Sequence, residues 1–241
     1  MTGYREIAPP RVLHPVVACL WEHRGRASEQ RVIPDACVDL IWRDGRLVVV
    51  GADTGPVMFA PTGDGEPVTG IRLRPGAAGS VLGLPASEVR DARVPVLDLW
   101  SEAASVLSEE LGSATPQRRL ELLAGAVERR QGEADALVVA ASHRLAAPDA
   151  RVALVASGLG VSERHLHRRT AAAIGYGPKM LARVARLRRL IAFSQRSDAL
   201  PLAERAGAAG YASQAHMSDE VRRLTGLTPV RFLEDATLTA A

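Results

Sequence analysis

The chain has 241 residues, 47% of them apolar, which is enough for one large or two modest domains with a sizeable core. Its net charge of +3 is unevenly spread: residues 133–241 carry 15 Lys and Arg against 10 Asp and Glu, whereas residues 1–132 carry 15 against 17. A basic half joined to a slightly acidic one points to a polyanionic partner for one half only. No apolar run reaches the length of a bilayer span, and no basic-then-apolar leader is evident. The two cysteines, Cys19 and Cys37, are too few for a disulfide framework, so the expectation is a cytoplasmic protein with no membrane partner.

Residues 1–75 read as β structure. Val16–Glu22, Cys37–Trp42 and Leu47–Val50 are short apolar runs, and Asp44-Gly45 between the last two is a strong hairpin signal. Residues 70–74 alternate, with Ile71 and Leu73 on one face and Arg72 and Arg74 on the other. Gly and Pro punctuate residues 51–67, which predicts loops. Beyond Pro75 the pattern turns helical: a short helix to Leu82, a turn at Pro85, and helices over Asp98–Leu111 and Pro116–Arg130, the last with Leu120, Leu123, Ala124 and Val127 on one face. Gln131-Gly132 reads as the break. The first part is thus expected to be a small antiparallel sheet or open barrel carrying helices.

From residue 134 seven helices are predicted. The first runs from Ala134 to Leu145. The second, Ala150–Ser157, is capped by Asp149; the third, Ser162–Ile174, is stopped at Gly175. The fourth is a long helix from Pro178 to about Ser194, and the fifth runs from Pro201 to Ala209. The sixth, Ser213–Thr225, is stopped at Gly226, and the last spans Pro229–Asp235. Two stretches repeat. Ser162 and Ser213, His165 and His216, Leu166 and Met217, Gly175 and Gly226, and Pro178 and Pro229 all stand 51 residues apart. A constant offset marks one supersecondary unit used twice. A helix, a tight turn at Gly and a Ser-capped second helix make a helix-turn-helix. Two such units joined by the long helix would form a DNA-reading end that the rest of the chain controls.

The residues Gly160-Val161-Ser162, Leu166, Gly175 and Pro178, and more densely Ala206, Gly210-Tyr211, Ser213, Met217, Val221, Arg223-Leu224, Thr225-Gly226 and Thr228-Pro229, resemble the DNA-binding domain of AraC/XylS-family transcription regulators over residues 134–235. Pro34–Trp42 and Gly70–Gly76 are similar to a small uncharacterised domain that often precedes this module. The expected chain is α+β, with a β-rich sensor or regulatory domain (residues 1–112), a helical linker (113–132) and an all-α, seven-helix double helix-turn-helix domain (133–241), in which the resemblance implies the long helix from Pro178 as the link between the two units. The resemblance also implies base-facing positions at Arg164, His167 and Arg168 in the first unit, and at Gln214, Ala215, Ser218 and Asp219 in the second. Chemistry agrees in part, since Arg can grip guanine and Gln adenine in the major groove. Asp219 departs from a position that is often basic, and Thr170 stands where a large apolar residue is usual.

The expected function is sequence-specific DNA-binding regulation of transcription in a bacterium, modulated by an effector or by self-association through the N-terminal domain. Double-stranded DNA is the expected partner; RNA polymerase, a small-molecule effector and a second copy of the chain (a homodimer) are further candidates. No enzyme activity, cofactor or metal is implied. Cys19-x3-His23 is poor zinc spacing. A Cys-dependent alkyl-transfer enzyme-regulator would need an activated thiol, and Asp35 and Asp39 beside Cys37 would raise a thiol pKa. A protein-interaction module with degenerate DNA contacts is the other alternative, and Asp219 favours it. In the first domain, alternation puts Val38, Leu40 and Trp42 on one face of their strand and Asp39 on the other. A buried Asp39 needs a partner, and Arg72 and Arg74 are the candidates. A small polar or anionic ligand is expected near Asp39, Arg72 and Arg74, with an apolar wall from Trp42 or Trp21.

Overall fold

Alternation of apolar and polar residues builds the first half of the molecule. The computed structural model describes residues 3–24, 30–59, 66–196 and 200–234. Its strands are β1 (Tyr4–Ile7), β2 (Val17–His23), β3 (Gln30–Val32), β4 (Val38–Arg43), β5 (Arg46–Val50), β6 (Val57–Phe59), β7 (Val68–Leu73) and β8 (Arg93–Pro95). Six of them form one antiparallel sheet in the order β1-β2-β7-β4-β5-β8, and β3 pairs with β6 in a separate two-stranded ribbon. The predicted hairpin joins β4 to β5. Asp44 (φ 51°) and Gly45 (φ 69°) both take the left-handed conformation that a two-residue turn between twisted strands requires. The short strands β1, β3, β6 and β8 were not legible, because three or four residues cannot display a period. β6 falls inside the 51–67 stretch expected to be loop, and the sheet partner supplies the order that the sequence there does not.

One face of the sheet is covered by helices. Val38, Leu40, Trp42, Leu47, Val49, Ile71 and Leu73 point that way. They meet α1 (Ala78–Leu82), α2 (Val96–Trp100), α3 (Glu102–Ser113), α4 (Pro116–Arg130) and a 3-10 turn at Ala86–Val89. Asp98–Leu111, predicted as one helix, is broken at Ser101 (φ 47°). The break lets α2 lie against β5 and β8 while α3 lies against α4. Helix α4, from the 113–132 segment expected as a linker, packs across β7 and β2. Its buried Arg119 donates from Nε to Leu111 O (2.9 Å), pairs with Glu66 (2.6 Å) and lies over the Trp42 ring.

The seven expected C-terminal helices are α5 (Ala136–Leu145), α6 (Val152–Gly158), α7 (Glu163–Ile174), α8 (Pro178–Arg196), α9 (Leu202–Ala208), α10 (Gln214–Thr225) and α11 (Pro229–Glu234), with Asp235 outside the described residues. The repeat is physical. Ser162 Oγ accepts from His165 N and Ser213 Oγ from His216 N, both at 3.1 Å, and Gly175 (φ 107°) and Gly226 (φ 73°) end the two helices left-handed. Each Ser cap contributes about 1 kcal/mol. Asp149 does not cap α6 as expected. It lies inside a turn closed by Ala150 N on Ala147 O, so the helix starts later, behind Arg151.

Apolar burial divides the chain into two main cores, and the division does not fall between sheet and helices. The larger runs from Leu13 and the sheet through α1–α4 into α5, α6 and α7, and takes in Leu181, Ala182 and Val184 of α8. The smaller holds Leu187 and Leu190 of α8 with Ala206, Ala209, Tyr211, Met217, Val221, Leu224 and Phe232, and reaches back to Ile33 after β3. The first helix-turn-helix unit therefore shares a core with the N-terminal domain. Gly175 fits so closely that a Cβ there would meet Ala52 Cβ at 3.2 Å and Ala86 O at 3.3 Å.

On the other face of the sheet Trp21 lies over Gly70, its opposite number on β7, and a Cβ at Gly70 would fall 2.4 Å from the indole. Gly70→Ala is expected to destabilise the chain by about 1–3 kcal/mol through this overlap. Denaturant unfolding followed by Trp fluorescence measures it; a change below about 0.5 kcal/mol would show that the indole moves aside freely.

Candidate nucleic-acid interface and cavity

Helices α7 and α10 present the residues singled out from the repeat. Leu166 and Met217 anchor them, each fully buried. That rotation leaves Arg164, His167 and Arg168 of α7, and Gln214, Ala215 and Asp219 of α10, exposed, with Ser218 half-buried and its hydroxyl donating to Gln214 O (2.9 Å). Arg168 lies beside His165 Nδ1 (3.3 Å). The His167 ring sits against Gly177, where a Cβ would approach it to 2.5 Å. Arg164, His167, Lys179 and Arg183 border a groove of about 500 Å³ at the start of α8. Arg164 and Lys179 are exposed there, with Glu163 on the same rim and Arg183 shared with Glu220, and the exposed cations suit an anionic backbone. Thr170 is buried and donates to Leu166 O (2.7 Å), so the small first-unit core satisfies its own hydroxyl.

Other arginines of the C-terminal half are structural. Arg169 donates to Asp135 (2.6 Å), whose other oxygen caps α5. Arg186 of α8 donates to Glu220 of α10 (2.6 Å), and the same buried carboxylate meets His216 Nε2 (2.9 Å) and Arg183 (3.7 Å). Arg189 donates to Ala209 O (3.0 Å) and to Ala146 O, the carbonyl ends of α9 and α5, where the helix dipole favours a cation. Helix α8 thus sets the two units relative to one another by charge as well as by packing.

The second candidate site lies on the sheet face opposite the helices. A cavity of about 510 Å³ lies between that face and the β3–β6 ribbon. Its walls are mainly apolar: Trp21, Ile41, Val48 and Val50 from the sheet, Val32, Val57, Met58 and Phe59 from the ribbon, and Tyr4 at the edge. Asp39 and Arg72 face it together, as alternation and register require of opposed residues. Arg72 Nε donates to Asp39 (3.2 Å), Trp21 Nε1 donates to the same oxygen (3.2 Å), and Asp35 (3.7 Å) and Glu6 (3.9 Å) lie further around the guanidinium. Burial pushes the Asp39 carboxyl up, against the pull of Arg72.

Arg74 and Trp42 are placed elsewhere. Arg74 lies beyond the end of β7 and is tied by Nε to His14 O (2.7 Å), while Trp42 faces the helices, as the alternation that turns Asp39 to the cavity demands. The indole at the cavity is Trp21. Arg93 and Asp53 were not foreseen: they form a two-point pair (2.8 and 2.9 Å), with Arg93 at the cavity wall, and come from stretches without a periodic signal. Both cysteines are free and buried. Burial pushes the Cys19 thiol up to about 12 and Cys37 well above its usual value, so each is a protonated packing group. Among the described residues no group of three or more His, Cys, Asp or Glu is placed to hold a metal ion, and no helix is long and apolar enough to cross a membrane.

Residues 155–235 match the helix-turn-helix domain family (HTH_18), and residues 5–95 match a domain of unknown function (DUF6597). None of the curated proteins matches the chain. Among solved structures, ToxT from Vibrio cholerae is similar at 12% identity and a TM-score of 0.41, over 99% of this chain and 98% of that one. Wild-type ToxT with an unsaturated fatty acid bound, from V. cholerae strain SCE256, is similar at 14% identity and a TM-score of 0.42, over 94% and 96%. The fold rests on this chain's own elements. The C-terminal part is an AraC-type helix-turn-helix domain preceded by a domain of unknown function. With that domain the chain is a DNA-binding transcription regulator.

Removing one partner of the Arg186–Glu220 pair leaves a buried charge short of its strongest contact. Arg186→Ala is expected to cost about 2–4 kcal/mol. The double variant Arg186→Ala with Glu220→Ala should lose less than the sum of the two single changes. Denaturant unfolding of the three variants checks this, and strict additivity would show the pair to be uncoupled.

Proposed function

We propose that the protein binds an asymmetric DNA site as a monomer, with α7 and α10 in successive major-groove segments on one face of the duplex, and that a ligand in the N-terminal cavity modulates the second unit. The reading surface is Arg164, His167 and Arg168 with Gln214, Ala215, Ser218 and Asp219. The observation that carries the first part is the pair of equally capped, equally anchored helices tied by one continuous 19-residue helix. At about 1.5 Å per residue that helix is roughly 28 Å long, which suits units about one helical turn of DNA apart. Asp219 fits a cytosine amino group as acceptor, and repels phosphate.

The modulation is supported by strand β3, which has two clients. Gln30 and Val32 line the cavity. Between them, Arg31 donates to Thr225 O (3.1 Å) at the C-terminal end of α10, and Ile33 belongs both to the cavity wall and to the core of the second unit. A ligand that shifts the ribbon therefore acts on α10 before it acts on α7, which is held in the larger core.

Arg168→Ala is expected to cost about 1–3 kcal/mol on a site selected from genomic DNA and to relax base preference at one position. Lys179→Ala should weaken selected and random DNA alike and reduce the salt slope by about one. Titrations on both DNAs at several salt concentrations separate the roles. Equal losses from Arg168→Ala on both DNAs would make it a phosphate contact, and a flat salt dependence would remove DNA as the partner.

A further inference from the structure

Every cation beside the cavity is already answered. Arg72 has Asp39 as its closest partner, with Asp35 and Glu6 beyond. Arg93 is held by both oxygens of Asp53, and Arg43 pairs with Asp44 (3.2 Å) while its guanidinium lies 4.8 Å from the centre of the Phe59 ring. These three arginines stand against five carboxylates, so an incoming anion finds no uncompensated positive charge. An incoming cation fares no better: the carboxylate that faces the space, Asp39, has both oxygens engaged by Arg72. Any ion entering would leave water without a partner, which is costly. Most of the remaining wall, from Tyr4, Trp21, Ile41, Val48, Val50 and Phe59, is apolar and aromatic surface; His23, which burial favours in its neutral form and whose Nε2 has no partner, and Gln30 add uncharged polar groups. The cavity volume of about 510 Å³ falls in the usual range for small-molecule sites.

We propose that the cavity takes an uncharged, largely apolar molecule, and not the polar or anionic one that Arg72 and Arg74 suggest as a pair in the sequence. This deepens the effector reading above and rests on it for its regulatory meaning. The arginines act here as wall rather than as ligand: Arg72 and Arg93 lie in one row of the sheet with Asp39 and Val50, Arg43 stands at the hairpin end of β4, and Arg72 fixes Trp21 through Asp39. Selectivity then comes from desolvation, since an apolar guest gains by burial and a charged relative of the same shape loses its hydration without return.

Three probes of one skeleton test this on the full chain: para-butylbenzyl alcohol, para-butylbenzoate and para-butylbenzylammonium. Trp21 lines the cavity while Trp42 and Trp100 lie in the helix-side core, so quenching of Trp fluorescence, checked against Trp21→Phe, reports binding at this place. The alcohol is expected to bind at least about tenfold more tightly than either ion. Val48→Phe, which fills the space from β5, is expected to weaken the alcohol about tenfold without lowering the melting temperature of the free protein. Benzoate or ammonium binding as tightly as the alcohol, no alcohol binding up to its solubility limit, or alcohol binding unaffected by Val48→Phe each overturns the proposal. DNA affinity measured alongside separates the two claims. Alcohol binding with unchanged DNA affinity supports the ligand class and removes the effector reading. An ion that binds and changes DNA affinity does the reverse.

Discussion

Leu181, Ala182 and Val184 lie in the core that begins at the sheet, and Leu187 and Leu190, only a turn or two further along the same helix, lie in the other. Everything else in the molecule is arranged around that partition inside α8. A helix is stiff over this length, so it carries both units at a set distance and angle while giving each a different anchor. The first unit is anchored to the N-terminal domain by continuous apolar packing, with Gly175 pressed against Ala52 and Ala86. The second is anchored by α8 itself, through the buried Glu220 and its Arg186, and by one strand of the ribbon that covers the cavity.

On the proposed reading, this asymmetry is the route by which the N-terminal domain acts on the second helix-turn-helix unit. The larger core joins the sheet, α1–α4 and the first unit in continuous apolar packing, and close-packed interiors resist small displacements. The ribbon differs. Among the described residues its two strands pair only with each other, it borders an open volume, and it touches α10 at the carbonyl end, where Arg31 satisfies Thr225 O. A contact of that kind is worth about 0.3–1 kcal/mol, a size suited to being made or lost with ligand occupancy. Coupling of 1–3 kcal/mol, typical between sites, would need the Ile33 packing as well.

Much of this was legible in the sequence because it rests on local periods. The 51-residue offset locates both Ser caps, both Gly stops and both buried anchors, and the Asp-Gly pair fixes the β4–β5 register, from which the opposite faces of Asp39 and Trp42 follow. What could not be read depends on register between distant strands. β2 is buried on both faces and carries a bulge between Val17 and Cys19, so nothing in its own pattern assigns Trp21 to the cavity. Arg74 shares the parity of Arg72, but the strand ends before it, and parity without a strand positions nothing. The Arg93–Asp53 pair and the β3–α10 contact join residues far apart in the chain, and no composition or spacing announces either.

Native-state hydrogen exchange tests the partition most directly, because it reads the opening free energy of each helix separately. The partition predicts that the amides of α7 exchange at the free energy of the central strands β4 and β7, and that those of α10 open at a distinctly lower one. Exchange of α7 and α10 together, as one unit apart from the sheet, would contradict it.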